Sequence, residues 1–365
     1  MNKKYLKVII LSLLSLILLA GCATGPRAES TTGLAANESH LFVSLANKIY
    51  KVELETGLEI WRYPSDNSRM MVYAPVLLND EYFTYGDLYN TLQRVNLETP
   101  TQKVWEFKEA KGWYQTKLAE ADGVIVAPNT DRNVYGVNAK DGSLLWTHED
   151  KFAFLAEPVI VNGKAIISSQ NHEILWLDLK TGEPVKDGFA MKGAVISAPY
   201  YDETLGYIFV GSLGHEFVAI DAKTQKEVWR YEGSIPKLSG IWAPPIMLQG
   251  QLIFNDDLGN IISVDPKTGA ENWIIAEQGK MLAGLAAIGE DAFIVALEDG
   301  TIRGFDVNRK PLFPEFDIPK GKIYTTPLVT DEMFIIAPMG AEFLVYAYPI
   351  EYTGMTKWVY KPAKK

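Results

Sequence analysis

The 365-residue sequence predicts an all-β fold, an eight-bladed β-propeller of four-stranded antiparallel blades. The first observation is a fixed period. An apolar–x–x–apolar motif capped by an acidic or amide residue returns at Glu53, Asn96, Asn138, Asp178, Asp221, Asp265 and Asp306, and in degraded form at Ala347, in steps of 40 to 44 residues. The second is the content of each period: four short apolar segments separated by turn residues, which is strand spacing. The third is that no segment after residue 21 sustains a period near 3.6, as a helical solenoid would. Eight copies fill nearly all of the 344 residues (365 minus 21) that follow that point.

Residues 1–21 have a different character. Lys3, Lys4 and Lys7 precede an apolar run from Val8 to Leu19, which is short for a membrane span of about 20 residues. A charged start, a short apolar stretch and small residues at a cut site read as an export signal. The ending Leu19-Ala20-Gly21-Cys22 resembles the lipobox of bacterial lipoproteins. That resemblance implies cleavage before Cys22, acylation of its thiol (palmitate being one such chain), and acylation of the new amino group. Two or three acyl chains suffice for stable anchoring. Ala23 stands where aspartate would, in enteric bacteria, imply retention in the inner membrane, so outer-membrane sorting is permitted; the expected location is the outer membrane facing the periplasm, or the cell surface if there is no outer membrane. The expected layout is a signal peptide 1–21, a lipidated linker 22–30, a propeller 31–362 and a tail 363–365.

Within each blade the elements follow one order. A first strand follows a proline in most copies, as in Ala74-Pro75-Val76-Leu77, Glu157-Pro158-Val159-Ile160 and Thr326-Pro327-Leu328-Val329. Blade one is the weakest there, but Thr31-Thr32-Gly33-Leu34-Ala35 aligns with Thr325-Thr326-Pro327-Leu328-Val329. Turns such as Asn79-Asp80, Asn162-Gly163 and Gln249-Gly250 lead to a second strand, for example Tyr207-Ile208-Phe209-Val210. The motif strand is third. A turn with Thr56-Gly57, Asp141-Gly142, Thr181-Gly182 or Thr268-Gly269 leads to the fourth, because glycine tolerates the positive φ of a short bulged hairpin. The acidic or amide residue before it accepts bonds from turn amides, so its once-per-blade recurrence reads as architecture and not as a metal or catalytic set. Tryptophan follows at Trp61, Trp105, Trp146, Trp229 and Trp273, with Trp358 late in the last blade; Lys186 and Pro314 replace it in blades four and seven. One large ring per blade reads as a wedge against the neighbouring blade.

Charge and cysteine count narrow the function. Cys22 is the sole cysteine, so no disulfide supports the fold. Lys and Arg total 35 against 45 Asp and Glu; loss of the three signal lysines takes the net charge from −10 to −13. An acidic surface disfavours nucleic acid. The four histidines, His40, His148, His172 and His215, fall in different blades without metal-ligand spacing.

The strand followed by Thr-Gly and tryptophan resembles the PQQ-type propeller repeat, most closely at Asp221-Ala222-Lys223-Thr224 with Trp229 and at Asp265-Pro266-Lys267-Thr268-Gly269 with Trp273. Two branches share that repeat. Quinoprotein dehydrogenases hold pyrroloquinoline quinone and calcium at the propeller centre, but are longer and often carry adjacent cysteines. BamB-type lipoproteins of the outer-membrane β-barrel assembly machinery have this length, a lipobox and eight blades. That second resemblance implies a scaffold that binds protein, without catalysis or cofactor, as a monomer within a complex. The residues two places before each first-strand proline, expected near the channel mouth, are Thr31, Tyr73, Gln115, Ala156, Ser197, Trp242, Leu282 and Thr325. They include no carboxylate, histidine or lysine, whereas a calcium–quinone site needs converging acidic and amide groups. Lys117 and Glu157 flank this ring and read as solvated rim charges.

Candidate partner-binding residues come from two stretches. Met191-Lys192-Gly193 through Ser197-Ala198-Pro199 resembles the BamB-type loop running Leu-Arg-Gly to Ser-Ala-Pro that contacts the barrel-assembly subunit, with lysine for arginine, methionine for leucine, and two residues inserted. Ser239-Gly240-Ile241-Trp242-Ala243-Pro244-Pro245 places an aromatic in a Gly/Pro-rich turn, as channel filler or binding anchor. Trp113-Tyr114 reads either way. A ligand- or quinone-binding exported propeller and a surface lipoprotein without barrel machinery are the alternatives.

Overall fold

A computed structural model describes residues 31–66, 69–234, 238–276 and 279–363. The expected signal peptide 1–21, the linker 22–30 with Cys22, and the last two residues lie outside them. The described residues contain no helix and form eight four-stranded sheets. Blade one shows the plan: β1 (Gly33–Ala36), β2 (His40–Leu45), β3 (Lys48–Glu53) and β4 (Glu59–Tyr63) pair in sequence order, all antiparallel. The other blades span 77–107, 119–149, 159–190, 200–230, 246–275, 286–317 and 328–360. Leu34 opposes Val43, so the weak first strand of blade one forms as expected.

Second and third strands are apolar on both faces, as in Tyr207–Ser212 and Glu216–Asp221, because each blade is packed between two neighbours. The core accordingly consists of clusters shared by adjacent blades. The recurring acidic residue ends the third strand and makes the turn. Asp178 Oδ1 accepts from the backbone N–H groups of Lys180 and Thr181, both at 3.0 Å, and Asp221 Oδ1 accepts from Thr224 N–H at 2.7 Å. A register shift follows in the third-to-fourth pairing of blades one, two, three, five and six, which is the expected bulge.

These turns carry a pH dependence. The turn N–H groups of Thr181 and Lys180 hold the Asp178 carboxyl below its ordinary range, and Thr224 does the same for Asp221. A carboxylate depressed in the folded state contributes stability above its unfolded value, and that stability is lost as pH falls through the folded one. Melting temperature should therefore drop on acidification below about pH 4. Asp178→Asn with Asp221→Asn should flatten that drop, since Asn96 and Asn138 accept the same turn bonds without a charge.

Tryptophan docks each blade on the next wherever the next turn has a glycine. The Nε1–H groups of Trp105, Trp146, Trp229 and Trp358 donate to the carbonyls of Ala139, Leu179, Pro266 and Leu54, at 2.8–3.0 Å. Each accepting residue directly follows the turn-forming residue of the next blade. The same rings lie against Gly142, Gly182, Gly269 and Gly57, where a Cβ would come within 2.5–2.7 Å. Trp358 thereby closes the ring, helped by Tyr360 OH donating to Glu59 Oε2 at 2.6 Å and Thr325 Oγ1 donating to the Thr32 carbonyl at 3.0 Å. Closure is by side chains, since no sheet mixes strands from the two ends of the chain.

Where the glycine is missing, the dock is missing. Blade two has Pro100 at that place, and Trp61 packs on Phe83 with its Nε1 buried and without a partner among the described residues. Blade seven has Arg309 there, and Trp273 donates instead to Gln251 Oε1 at 2.8 Å. Blades four and seven, which lack the tryptophan, keep only two-residue fourth strands, Phe189–Ala190 and Phe316–Asp317. Phe313 and Phe316 fill the second gap by packing on Tyr352 at 5.0 and 4.5 Å between centroids.

Two glycines separate backbone strain from ring displacement. Gly182 and Gly163 both have φ of +72°, but only Gly182 faces a ring, with nothing within 4 Å of a Cβ on Gly163. Gly163→Ala should lose about 1–2 kcal/mol, the left-handed backbone cost. Gly182→Ala should lose clearly more in the same denaturant titration, because the Trp146 ring must also move.

Candidate partner-binding face

Antiparallel order places three features of every blade on one face: the start of the first strand, the end of the fourth, and the hairpin between second and third. The links between blades cross this face and are stitched to those hairpins. The N–H groups of Val72, Tyr114, Phe154, Val195, Ile241, Met281 and Ile323 donate to hairpin carbonyls of the preceding blade at 2.7–3.2 Å. All seven side chains are buried. Two residues later each link has a small residue: Ala74, Ala156, Ser197, Ala243 and Ala283 are buried, Thr116 and Thr325 partly so. The residue between them keeps some exposure in every link: Tyr73, Gln115, Leu155, Ile196, Trp242, Leu282 and Tyr324.

This alternation corrects the ring counted back from the prolines. Ala156, Ser197 and Thr325 belong to the small set, and Leu155, Ile196 and Tyr324 take the exposed place. The slip arises because blades four, five and eight insert one residue between the small residue and the proline (Ala156-Glu157-Pro158), whereas blade two does not (Ala74-Pro75). The corrected set still contains no carboxylate, histidine or lysine. Lys117 and Glu157 pair across blades three and four at 2.8 Å, both about two-fifths exposed.

The five candidate residues divide by burial. Met191 packs in the core between blades four and five, and Gly193 lies against the Gly214 backbone. Ser197 is fully buried; its Oγ donates to the Gly211 carbonyl at 2.8 Å and its own carbonyl accepts from Ser168 Oγ at 2.8 Å. These three shape the loop, and Lys192 and Trp242 face outward, Trp242 with 40% of its surface exposed. Tyr114 is fully buried and Trp113 exposed, so that pair splits in the same way.

The Lys192 loop is held from below. Met191 N–H donates to the His172 carbonyl at 2.7 Å and Leu213 N–H to the Ala194 carbonyl at 2.9 Å. The backbone N–H of Lys192 donates to Glu216 Oε1, which also accepts from Ser212 Oγ at 2.9 Å. The other oxygen of Glu216 pairs with Arg230, and the Glu216 side chain is 1% exposed. This clamp has no local signature in the sequence. A glutamate opening a strand beside a Gly-rich hairpin carries no mark of burial, and Arg230 lies fourteen residues away on the fourth strand.

No group of three or more His, Cys, Asp or Glu among the described residues is arranged to hold a metal ion. His215 is bound to the Leu238 carbonyl through Nδ1 at 2.8 Å, and burial pushes the His148 imidazole below its ordinary value. Across blades seven and eight the face is charged. Glu298 lies 2.9 Å from Lys280 and 3.6 Å from Lys322, and the Lys280 ammonium holds its carboxyl below the usual carboxylate range.

Repeated blades, tryptophan docks and a link face with no reactive cluster among the described residues define an eight-bladed propeller of the PQQ-like repeat class. A family model described as "Outer membrane protein assembly factor BamB" matches residues 20–196 and 192–309, and the chain belongs to this family. The outer membrane protein assembly factor BamB of Moranella endobia (strain PCIT) is 20% identical over 235 residues, covering 61% of this chain and 59% of that protein. The serine/threonine-protein kinase AfsK of Streptomyces griseus is 26% identical over 169 residues, covering 43% of this chain and 20% of the kinase. The chain thus spans less than two thirds of either relative. Among solved structures, BamB from Moraxella catarrhalis aligns with a TM-score of 0.70 at 15% identity, covering 87% of this chain and 93% of that one. The computationally designed Ika8 protein aligns at 0.74 and 14% identity, covering 88% and 97%. At these identities the structural likeness establishes the fold.

Proposed function

We propose that this protein is a lipid-anchored, non-enzymatic scaffold for the assembly of outer-membrane β-barrels. In this reading Cys22 carries the acyl chains, the propeller faces the periplasm, and Lys192 and Trp242 dock a barrel-assembly subunit. The observation that carries the reading is the family match from residue 20 to residue 309. The link face supports it physically. Lys192 stands on a loop fixed by Glu216, and Trp242 follows the buried anchor Ile241, so neither needs much ordering on binding. Lysine gives a point charge where arginine would give a fork, so pairing with a partner carboxylate is less directional.

The test is binding of the purified barrel-assembly subunit from the same organism, measured by calorimetry. Trp242→Ala and Lys192→Glu should each weaken binding by roughly tenfold or more, as expected for central anchors, with the melting temperature unchanged. Unaltered affinity in both variants would remove the docking assignment. Specific saturable binding of pyrroloquinoline quinone with calcium would replace the scaffold reading by the ligand-binding one.

A further inference from the structure

The link face is divided into sectors. At the place just before each buried anchor, the links carry Met71, Trp113, Ala153, Ala194, Gly240, Lys280 and Lys322. Blades seven and eight thus present lysines tied to Glu298, while the sector around blades two to four presents large apolar groups. Met71 is 37% exposed, Tyr89 53%, Trp113 43% and Phe152 54%. Backbone hydrogen bonds join the segments that bear them. Leu88 N–H donates to the Met71 carbonyl at 2.9 Å, Thr130 N–H to Trp113 at 3.1 Å, and Phe154 N–H to Asn129 at 3.2 Å. These groups form one strip along adjacent links.

Cations accompany them. Arg69, Lys111 and Lys151 are exposed one or two residues before Met71, Trp113 and Phe152. The acidic groups of the same stretch are turned inward. Asp87 accepts from Tyr89 and Thr91 N–H at 2.9 Å, Asp131 from Tyr135 OH at 2.7 Å, and Asp150 from Ser169 Oγ. Asp66, Glu109 and Glu149 are the exposed exceptions, and Glu149 is paired with Arg132 at 3.3 Å. The net negative charge of the whole chain does not decide the matter, because charges beyond about 8 Å are screened at physiological salt. Aromatic rings interleaved with long cationic side chains suit the boundary between acyl chains and headgroup phosphates.

The chain enters the propeller on this face. Thr31 lies two residues before the first strand, whose start is on the link side, in the blade next to Met71. Nine residue steps separate Cys22 from Thr31, which reach at most about 30 Å. We propose that the strip of Met71, Tyr89, Trp113 and Phe152, with Arg69, Lys111 and Lys151, rests on the lipid surface that holds the N-terminus. The tether argument rests on the reading of Cys22 as lipidated; the strip's composition does not. The propeller then leans on the edge of its link face at blades two to four, with Lys192 in the next link after Phe152 and Trp242 one link further round the ring.

Single cysteines test this in the mature lipoprotein, because acylation blocks Cys22 and the chain has no other thiol. Phe152→Cys, Tyr89→Cys and the opposite-face control Glu55→Cys are labelled with an environment-sensitive fluorophore. The proteins are reconstituted in vesicles of phosphatidylethanolamine with a minority of phosphatidylglycerol. Labels at 152 and 89 should be blue-shifted and several-fold less quenched by iodide than the label at 55, with unchanged melting curves. Equal quenching at all three sites in an acylated chain overturns the inference, and so does shielding that appears only when a barrel-assembly subunit is added. The mass of the N-terminal peptide reads acylation separately. In an unacylated chain, shielding on vesicle addition supports the lipid contact and removes only the anchor, and no shielding overturns it.

Discussion

Trp229→Ala should lower the unfolding free energy by about 3–5 kcal/mol, in the range for truncating a buried aromatic. Three separate contributions are lost together. The ring is 7% exposed and lies 5.8 Å from Phe209 and 6.2 Å from Phe217 between centroids. Its Nε1 fills the Pro266 carbonyl at 3.0 Å, and its face covers Gly269 of the next blade. Removal opens a cavity at the boundary of blades five and six and leaves a carbonyl without its donor. Urea titration at constant slope should show the loss, and Trp61→Ala is the informative comparison. Trp61 makes no such bond, so its truncation should cost less; equal losses would mean that blade docking contributes nothing beyond burial.

Glu216→Ala should cost about 3 kcal/mol, the low end for breaking a buried pair, because Arg230 loses the more buried of its two carboxylates. Arg230 is 19% exposed in its side chain and keeps only its pairing with Glu227 at 2.7 Å. The same change frees the Lys192 N–H and Ser212 hydroxyl, so the loop above should loosen. Hydrogen exchange at residues 191–195 should then rise in step with the loss of stability. Pairing the change with Arg230→Met should recover much of the loss, since removing both charges is far less costly than removing one. A double variant no more stable than Glu216→Ala would contradict the clamp.

The fold was legible because every blade repeats the same local instructions. Seven acidic or amide turn-forming positions, with a glycine and a ring in most blades, carry the period; in blade eight the third strand runs on to Pro349, so the degraded copy at Ala347 sits two residues short of the turn. Even the absences were informative, since Lys186 and Pro314 mark the two blades whose outer strands shrink to two residues. The site was legible only in part. Lys192, taken with Met191, Gly193 and Ser197 from the resemblance to a family loop, and Trp242, taken from a Gly/Pro-rich turn, lie outward, whereas Met191, Gly193 and Ser197 are interior. Period-two alternation fixes which side chains share a side only if the register is known, and one inserted residue per link flips it. The Glu216–Arg230 clamp left no trace, because long-range pairing of charges has no local pattern. The apolar strip was also hidden: Met71, Tyr89, Trp113 and Phe152 come from four separate segments that only the ring brings into line.

In the proposed function this propeller works through its link face on a barrel-assembly subunit. A photo-crosslinking residue placed at Trp242 in the membrane-anchored protein, with a second at Leu58 on the opposite side, tests it most directly. Irradiation of cell envelopes should join the Trp242 position to a barrel-assembly subunit and leave the Leu58 position free of it. Cross-linking of that subunit from Leu58 alone, or from neither position, would contradict the claim.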